Sequence, residues 1–214
     1  VRVLLSREDV VRMGPKRPPI AAGVRADGSG IVRVAATPGV ADAVTSIAPG
    51  LRVEEVEVTG PSTSIALRAS GWAEATVLMA GAQGVAGRVT APNGAQAEAS
   101  IGGDGRVRVW VSCGDVLDEV VLRSYCIGAA HMATSWVTSE GLAVDEAGEV
   151  QDLTIRSFGV LRATDTPEID VEMDAAATGP PVNGSDAVFA AVAAATWLHQ
   201  GCPPDWPTGI PVRA

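Results

Sequence analysis

The chain has 214 residues, 47% of them apolar, and a formal net charge of −9 from 16 basic against 25 acidic side chains. That length supports a substantial core, in one large domain or two small ones. The acidic balance, with only Arg12, Lys16 and Arg17 close together among the cations, argues against nucleic acid and anionic membranes as partners. No apolar run approaches the roughly 20 residues that cross a bilayer, and "VRVLLSREDVVR" lacks the apolar core and small-residue cleavage site of a secretory signal. A soluble, cytoplasmic protein is expected.

In chain order, "VRVLLS" reads as a strand, and "IAAGVRADGSGIVRVAA" as two strands joined by a turn at Asp27-Gly28-Ser29-Gly30. "TPGVADAVTSIAPG" is a short helix between two Pro-Gly pairs, and "LRVEEVEV" alternates apolar and charged residues as a half-buried strand does. "GPSTSIALRASGWAEATVLMAGAQG" predicts a helix that starts near Ser62 to Ser64 and buries Leu67, Trp72, Ala75, Leu78 and Met79. After a Gly- and Ala-rich passage, "AQAEASIGGDGRVRVWVS" predicts a second hairpin about Gly102-Gly103-Asp104-Gly105, with Val107, Val109 and Val111 on one face.

"DVLDEVVLRSYCIGAAHMATSWVTSEG" is the longest helix candidate, stopped by Gly141, with Leu117, Val121, Ile127 and Trp136 expected in the core. "EVQDLTIRSFGVL" and "PEIDVEM" are strands by composition. In "ATGPPVNGSDAVFAAVAAAT" the two prolines forbid helix before Asn183, so a helix starts near Ser185, with Ser185 as cap and Asp186 at the positive end of the dipole. The proline-rich tail from Gly201 is extended. Strands and helices come in blocks without regular alternation, which predicts an α+β class. The hairpin-then-helix passages at 18–80 and 96–141 suggest two loosely related halves. The chain is read as one module, 1–214, whose halves would divide as 1–83 and 84–214.

Motifs for chemistry are sparse. There is no Gly-x-Ser-x-Gly elbow, phosphate loop or His-Glu-x-x-His, and only His131 and His199 are present. His131, among alanines, reads as a partner-satisfied core or interface residue, and His199 as a helix-end residue favoured by the dipole. Cys113, Cys126 and Cys202 fit neither a disulfide framework nor a zinc or iron–sulfur set, and read as reduced, buried thiols. Asp115, Asp118 and Glu119 complement the start of the long helix without any metal. Arg68 follows a Ser/Thr-rich entry, with Glu74 six residues on. Such an arginine binds a carboxylate or phosphate in bidentate geometry, or makes an ordinary surface or interface ion pair.

The order of these pieces resembles the distal part of the molybdopterin-binding large subunit of the xanthine dehydrogenase, aldehyde oxidase and carbon monoxide dehydrogenase family. "VRVLLSREDVVRMGPKRPPIAAGVRADGSG" is similar to that family's strand, Arg-Asp/Glu-Asp motif, Arg-Pro loop and hairpin. "GPSTSIALRASGWAEA" is similar to its segment in which an arginine beside small residues precedes a helix. The stretch from Asp104 to Met173 follows its C-terminal order of hairpin, long helix, acidic turn and strands. In total the similarity touches about three quarters of the chain, as a pattern and not as one strict signature.

The resemblance implies two mixed sheet-plus-helix halves. It also exposes a departure, because the family's base glutamate precedes a Pro-Pro pair, and here Gly179 precedes Pro180-Pro181. General-base assistance is typically worth about 10²- to 10⁴-fold, and glycine cannot supply it. Of the family's site residues Arg68 carries over, with Glu74 and Asn183 as neighbours of matched motifs. Counterparts of the family's Gly-rich cofactor contacts and Gly-Gln-Gly segment are missing, so molybdopterin is expected to be held only together with a partner chain and not by this chain alone. A protein partner or a self-dimer is therefore expected. The function implied is a degenerate oxidoreductase subunit, inactive by itself. The alternatives are a stand-alone, non-catalytic binding or scaffold protein on the same fold, or a hydroxylase using a base other than Gly179.

Overall fold

Alternation of branched apolar residues with polar ones sets the strands of the first half. A computed structural model describes residues 2–3, 17–60, 62–141, 143–147, 149–151 and 154–212. The chain is α+β and divides into two units, Val1–Gly84 and Val85–Ala214. In the first, β1 (Arg2–Val3), β2 (Ile20–Val24), β3 (Gly30–Ala35) and β4 (Leu51–Val56) form a sheet in that order. The first two pairings are antiparallel and β3 runs parallel to β4. A parallel pair needs a crossover, which α1 (Val40–Ile47) provides. Ile20, Ala22, Val32, Val34 and Leu51 of the sheet bury against Val40 and Val44 of α1 and Ala75 of α2 (Trp72–Gln83).

The second unit opens with β5 (Val89–Thr90), β6 (Gln96–Ile101) and β7 (Val107–Ser112), followed by α3 (Glu119–Thr138). A small antiparallel pair, β8 (Ala143–Val144) and β9 (Val150–Gln151), and the single turn α4 (Ile155–Phe158) precede β10 (Ile169–Met173) and α5 (Ser185–His199). The sheet order is β5-β6-β7-β10, antiparallel except for the parallel pair β7 and β10. Val107, Val109 and Val111 are buried, as their alternation predicts, and α5 packs over β6 and against α3. The alanines Ala129, Ala130 and Ala133 of α3 and Ala187, Ala190, Ala191 and Ala194 of α5 are all buried. Side chains this small allow the two helix backbones to approach closely.

Apart from β8, β9 and α4, which the second unit inserts between α3 and β10, both units run strand, strand, strand, helix, parallel strand, helix, with the same pairing senses. In chain order β10 and α5, which follow residue 141, hold the places that β4 and α2 hold in the first unit. The connection from the last strand to the second helix is residues 57–71 in the first unit and 174–184 in the second, and these connections contain Arg68, and Gly179 and Asn183.

Three expectations need correction. The helix expected from Ser62 to Ser64 starts at Trp72, because Arg68 and Ala69 adopt left-handed backbone angles, with φ 51° and 56°, which no right-handed helix can contain. Among the described residues of "EVQDLTIRSFGVL", Val150–Gln151 alone form a strand. Beyond it Thr154 accepts a hydrogen bond from the Ser157 amide at 3.1 Å and caps a helical turn. Of the four core residues expected in and just before α3, only Trp136 is buried, whereas Leu117, Val121 and Ile127 are exposed. The buried stripe is Cys126, Ala129, Ala130, Ala133 and Val137, roughly opposite Val121 at 100° per residue. Of "VRVLLS", Arg2 and Val3 form β1, and the remainder lies outside the described residues.

The proline-rich tail has no regular structure but is held in place. Thr208 and Gly209 donate to the carbonyls of Val137 and Thr138 at 2.8 and 2.9 Å, satisfying the end of α3. Trp206 stacks edge-on against Trp136 and Trp197, with centroids 5.1 and 5.8 Å away.

Candidate functional site

In the first unit the connection before α2 is a built turn. Thr63 meets the buried Thr37 hydroxyl at 2.5 Å, and the Ser70 hydroxyl donates to the Leu67 carbonyl. Glu74 is buried at the third position of α2, where its Oε2 accepts from the Gly71 amide at 2.9 Å and satisfies one of the orphan donors of the helix start. Its other oxygen, Oε1, lies 2.6 Å from Arg17, whose second amino group donates to the Arg68 carbonyl at 3.4 Å. Arg17 thus links the Arg68 backbone to Glu74 in the first turn of α2.

Arg68 and Glu74 do not pair with each other. The Arg68 side chain is exposed and its guanidinium makes no hydrogen bond or ion pair with the described residues, so it is open to an anionic ligand. The sequence reading missed Arg17. It lies 51 residues before Arg68, and no local spacing signals such a contact.

In the second unit the connection before α5 is tied down by its backbone. The Asp115 amide donates to the Gly179 carbonyl at 3.0 Å, and the Gly179 amide donates to the Asp115 carboxylate at 3.3 Å. Val182 donates to the Cys113 carbonyl at 3.0 Å, and Asn93 donates through its amide group to the Asn183 carbonyl at 2.9 Å. Gly179 has φ 112°, a conformation that L side chains rarely adopt, although a Cβ there would meet nothing within 4 Å.

Asn183 is a helix-start residue. Its Oδ1 accepts from the Ser185 amide at 3.0 Å and from the Ser185 hydroxyl at 2.7 Å, so Ser185 donates where it was expected to accept as the cap. The acidic trio also divides its work. Asp118 is the N-cap of α3, accepting from the Val121 amide at 2.9 Å, and Glu119 sits in its first turn, but Asp115 holds the Gly179 loop.

Other candidates have structural employment. His131 Nδ1 is 2.9 Å from the Thr166 hydroxyl, and His199 occupies the last turn of α5. Cys113 and Cys126 are free and buried, and Cys202 is free and half-buried. Burial pushes the Cys126 thiol up to about 11, with neighbouring Cys113 adding to the shift, and burial also raises Cys113 and Cys202. A groove of about 770 Å³ lined by Ser139, Arg156, Gly159, Val160, Leu161, Arg162 and Asp165 includes none of the candidate residues. Among the described residues no cluster of three His, Cys, Asp or Glu side chains could hold a metal ion, and no helix is long and apolar enough to cross a membrane.

The sequence matches no family model and no curated protein. Among solved structures, the chain is similar to the Cu,Mo-CO dehydrogenase in its carbon monoxide reduced state, at 15% identity and a TM-score of 0.41, over 90% of this chain and 36% of that one. It is similar to the reconstituted CO dehydrogenase from Oligotropha carboxidovorans at 14% identity and a TM-score of 0.36, over 80% and 32% of the two chains. A third similarity is to quinoline 2-oxidoreductase from Pseudomonas putida 86, at 10% identity and a TM-score of 0.39, over 85% and 34%. The chain spans about a third of the length of the solved structures it matches.

Proposed function

We propose that this chain is a shortened, degenerate module of the molybdopterin-binding large-subunit type, working as a subunit beside a second chain that carries the rest of an oxidoreductase assembly. Gly179 carries the reading. It stands before Pro180-Pro181, where the resemblance calls for a base, and its φ of 112° suits glycine and disfavours any residue with a side chain. The loop is tied to Asp115 and Cys113 and leads into the helix start at Asn183, but it offers no acid at that position.

The candidate residues do not compose a molybdopterin site. Such a cofactor presents phosphate and many hydrogen-bonding atoms. Against these the chain offers the open guanidinium of Arg68, while the Glu74 carboxylate is taken by Gly71 and Arg17 and the Asn183 side-chain oxygen by Ser185. No chemical step is assigned to this chain through that group, which would be held only with a partner.

The test is molybdenum and pterin analysis of the chain purified alone, and with any large-subunit companion, from a host that assembles the cofactor. The expected result is no molybdenum in the chain alone and molybdenum in the pair. Molybdenum and hydroxylation of a heterocycle or aldehyde by the chain alone would overturn the proposal. A stable, metal-free monomer that ignores every companion would leave a binding or scaffold protein on this fold.

A further inference from the structure

We propose that the groove between the C-terminal end of α3 and residues 156–165 binds a small carboxylate with an apolar body. Those residues have little regular structure, yet they are pinned to α3 and the turn after it at three places. The Leu161 amide donates at 2.8 Å to the hydroxyl of Ser135, a fully buried residue of α3. The Gly141 amide donates to the Phe158 carbonyl at 3.0 Å, and His131 Nδ1 meets the Thr166 hydroxyl. Gly159 completes the fit. It has φ 79°, and a Cβ on it would lie 2.3 Å from the Ser139 carbonyl oxygen, so a side chain there would drive this wall away from the helix end. The groove is thus shaped by the fold itself, and its volume of about 770 Å³ falls within the roughly 300–1,000 Å³ of small-molecule sites.

The lining selects the occupant. Val160, 38% exposed, and half-buried Leu161 supply apolar surface, and Arg156 and Arg162 supply two guanidiniums in a chain of net charge −9. Arg156 is exposed and makes no hydrogen bond or ion pair with the described residues. Arg162 has the carboxylate of Asp165 at 3.5 Å from its Nε, too long for a good hydrogen bond, and Asp165 is the one acid among the described lining residues. Two cations against one acid leave a single positive charge, which matches a monocarboxylate held in the fork of Arg156. A phosphate dianion would be incompletely balanced and would leave Val160 and Leu161 in water. The groove includes none of Arg68, Gly179 and Asn183, so the inference does not rest on the subunit reading.

The experiment titrates the full chain with β-naphthoate, with its uncharged analogue β-naphthylmethanol and with inorganic phosphate, following backbone amides by NMR. β-Naphthoate is expected to bind saturably, with shifts centred on residue 139 and residues 156–165, and to weaken as salt is added. The alcohol and phosphate should each bind at least about tenfold more weakly. Arg156→Gln, at an exposed position, should leave thermal unfolding as it is and weaken β-naphthoate at least about tenfold. Arg156→Lys, a point charge without the fork, should recover part of that loss.

Equal binding of the alcohol would reduce the site to an apolar crevice, and equal binding of phosphate would reduce it to a cationic patch. Either would overturn the proposal. So would an affinity unchanged in Arg156→Gln, shifts centred elsewhere, or no saturable binding of β-naphthoate. None of these outcomes bears on molybdenum in the chain or its companion, so the proposed function stands or falls separately.

Discussion

Asp115 and Gly179 hold each other by two hydrogen bonds, main chain to main chain at 3.0 Å and main chain to carboxylate at 3.3 Å. The residue before Asp115 takes part as well. Gly114 has φ 74°, and a Cβ on it would lie 2.3 Å from the Pro180 carbonyl oxygen. Gly179 and Gly114 are thus glycines for different reasons, one for backbone angle alone and the other for angle and close approach. Gly179→Ala should cost about 1–2 kcal/mol, the penalty of a left-handed L residue. Gly114→Ala should cost more, because the Pro180 segment must also move. Urea unfolding of the two variants checks the order, and equal losses would contradict it. Gly179→Glu should restore no hydroxylation and should lose stability much as Gly179→Ala does.

The Glu74 carboxylate serves two partners while buried, so its removal acts twice on the first unit. Glu74→Ala deletes the bond to the Gly71 amide and the ion pair with Arg17, for an expected loss of about 2–4 kcal/mol. Arg68→Ala, at an exposed side chain with no partner among the described residues, should stay within about 0.5 kcal/mol. Trp72 is the sole tryptophan of the first unit and opens α2, so a variant whose other tryptophans are replaced reports this unit by fluorescence. A destabilised Arg68→Ala or a neutral Glu74→Ala would reverse the roles given to the two residues.

The sheets were legible because their signal is local. In 20–35 and 96–112 a period of two meets a glycine turn, and the strands fall at those places. The start of α2 was not, because the left-handed pair Arg68 and Ala69 is held in part by Arg17, a contact that spans 51 residues. The orientation of α3 was misjudged for another reason. Leu117, Val121 and Ile127 are more hydrophobic than alanine, but α5 approaches the side where side chains are smallest, and only the partner helix reveals that choice. At the candidate sites the residue types of Arg68, Gly179 and Asn183 could be read. The engagement of Glu74 by Arg17 and of Gly179 by Asp115 could not, since both depend on chain segments far away in sequence.

Cys126 makes stability depend on alkaline pH. Its folded-state value, about 11, lies above the ordinary thiol value, so the folded chain keeps a proton that the unfolded chain releases. The stabilisation is complete below the unfolded value and is lost as pH rises through the unfolded value toward 11. Urea midpoints should therefore fall between about pH 8.5 and 11, and fall less steeply in Cys126→Ala. An identical slope in the two proteins would remove the thiol as the cause. In the native chain at pH 8, alkylation should reach half-buried Cys202 before Cys113 or Cys126.

The inversion in α3 predicts an equally inverted response to substitution. Ala130 is fully buried on the stripe that packs against α5, so Ala130→Leu, which raises helix hydrophobicity, forces extra volume between closely packed helices and should cost about 1–3 kcal/mol or more. Leu117→Ser lowers hydrophobicity at an exposed position just outside the helix and should change stability by less than about 0.5 kcal/mol. Thermal or urea unfolding of the two single variants compares them directly. If Leu117→Ser were the more damaging, Leu117 would be buried in the protein in solution, and the alanine stripe would not be the side of α3 that the core is built on.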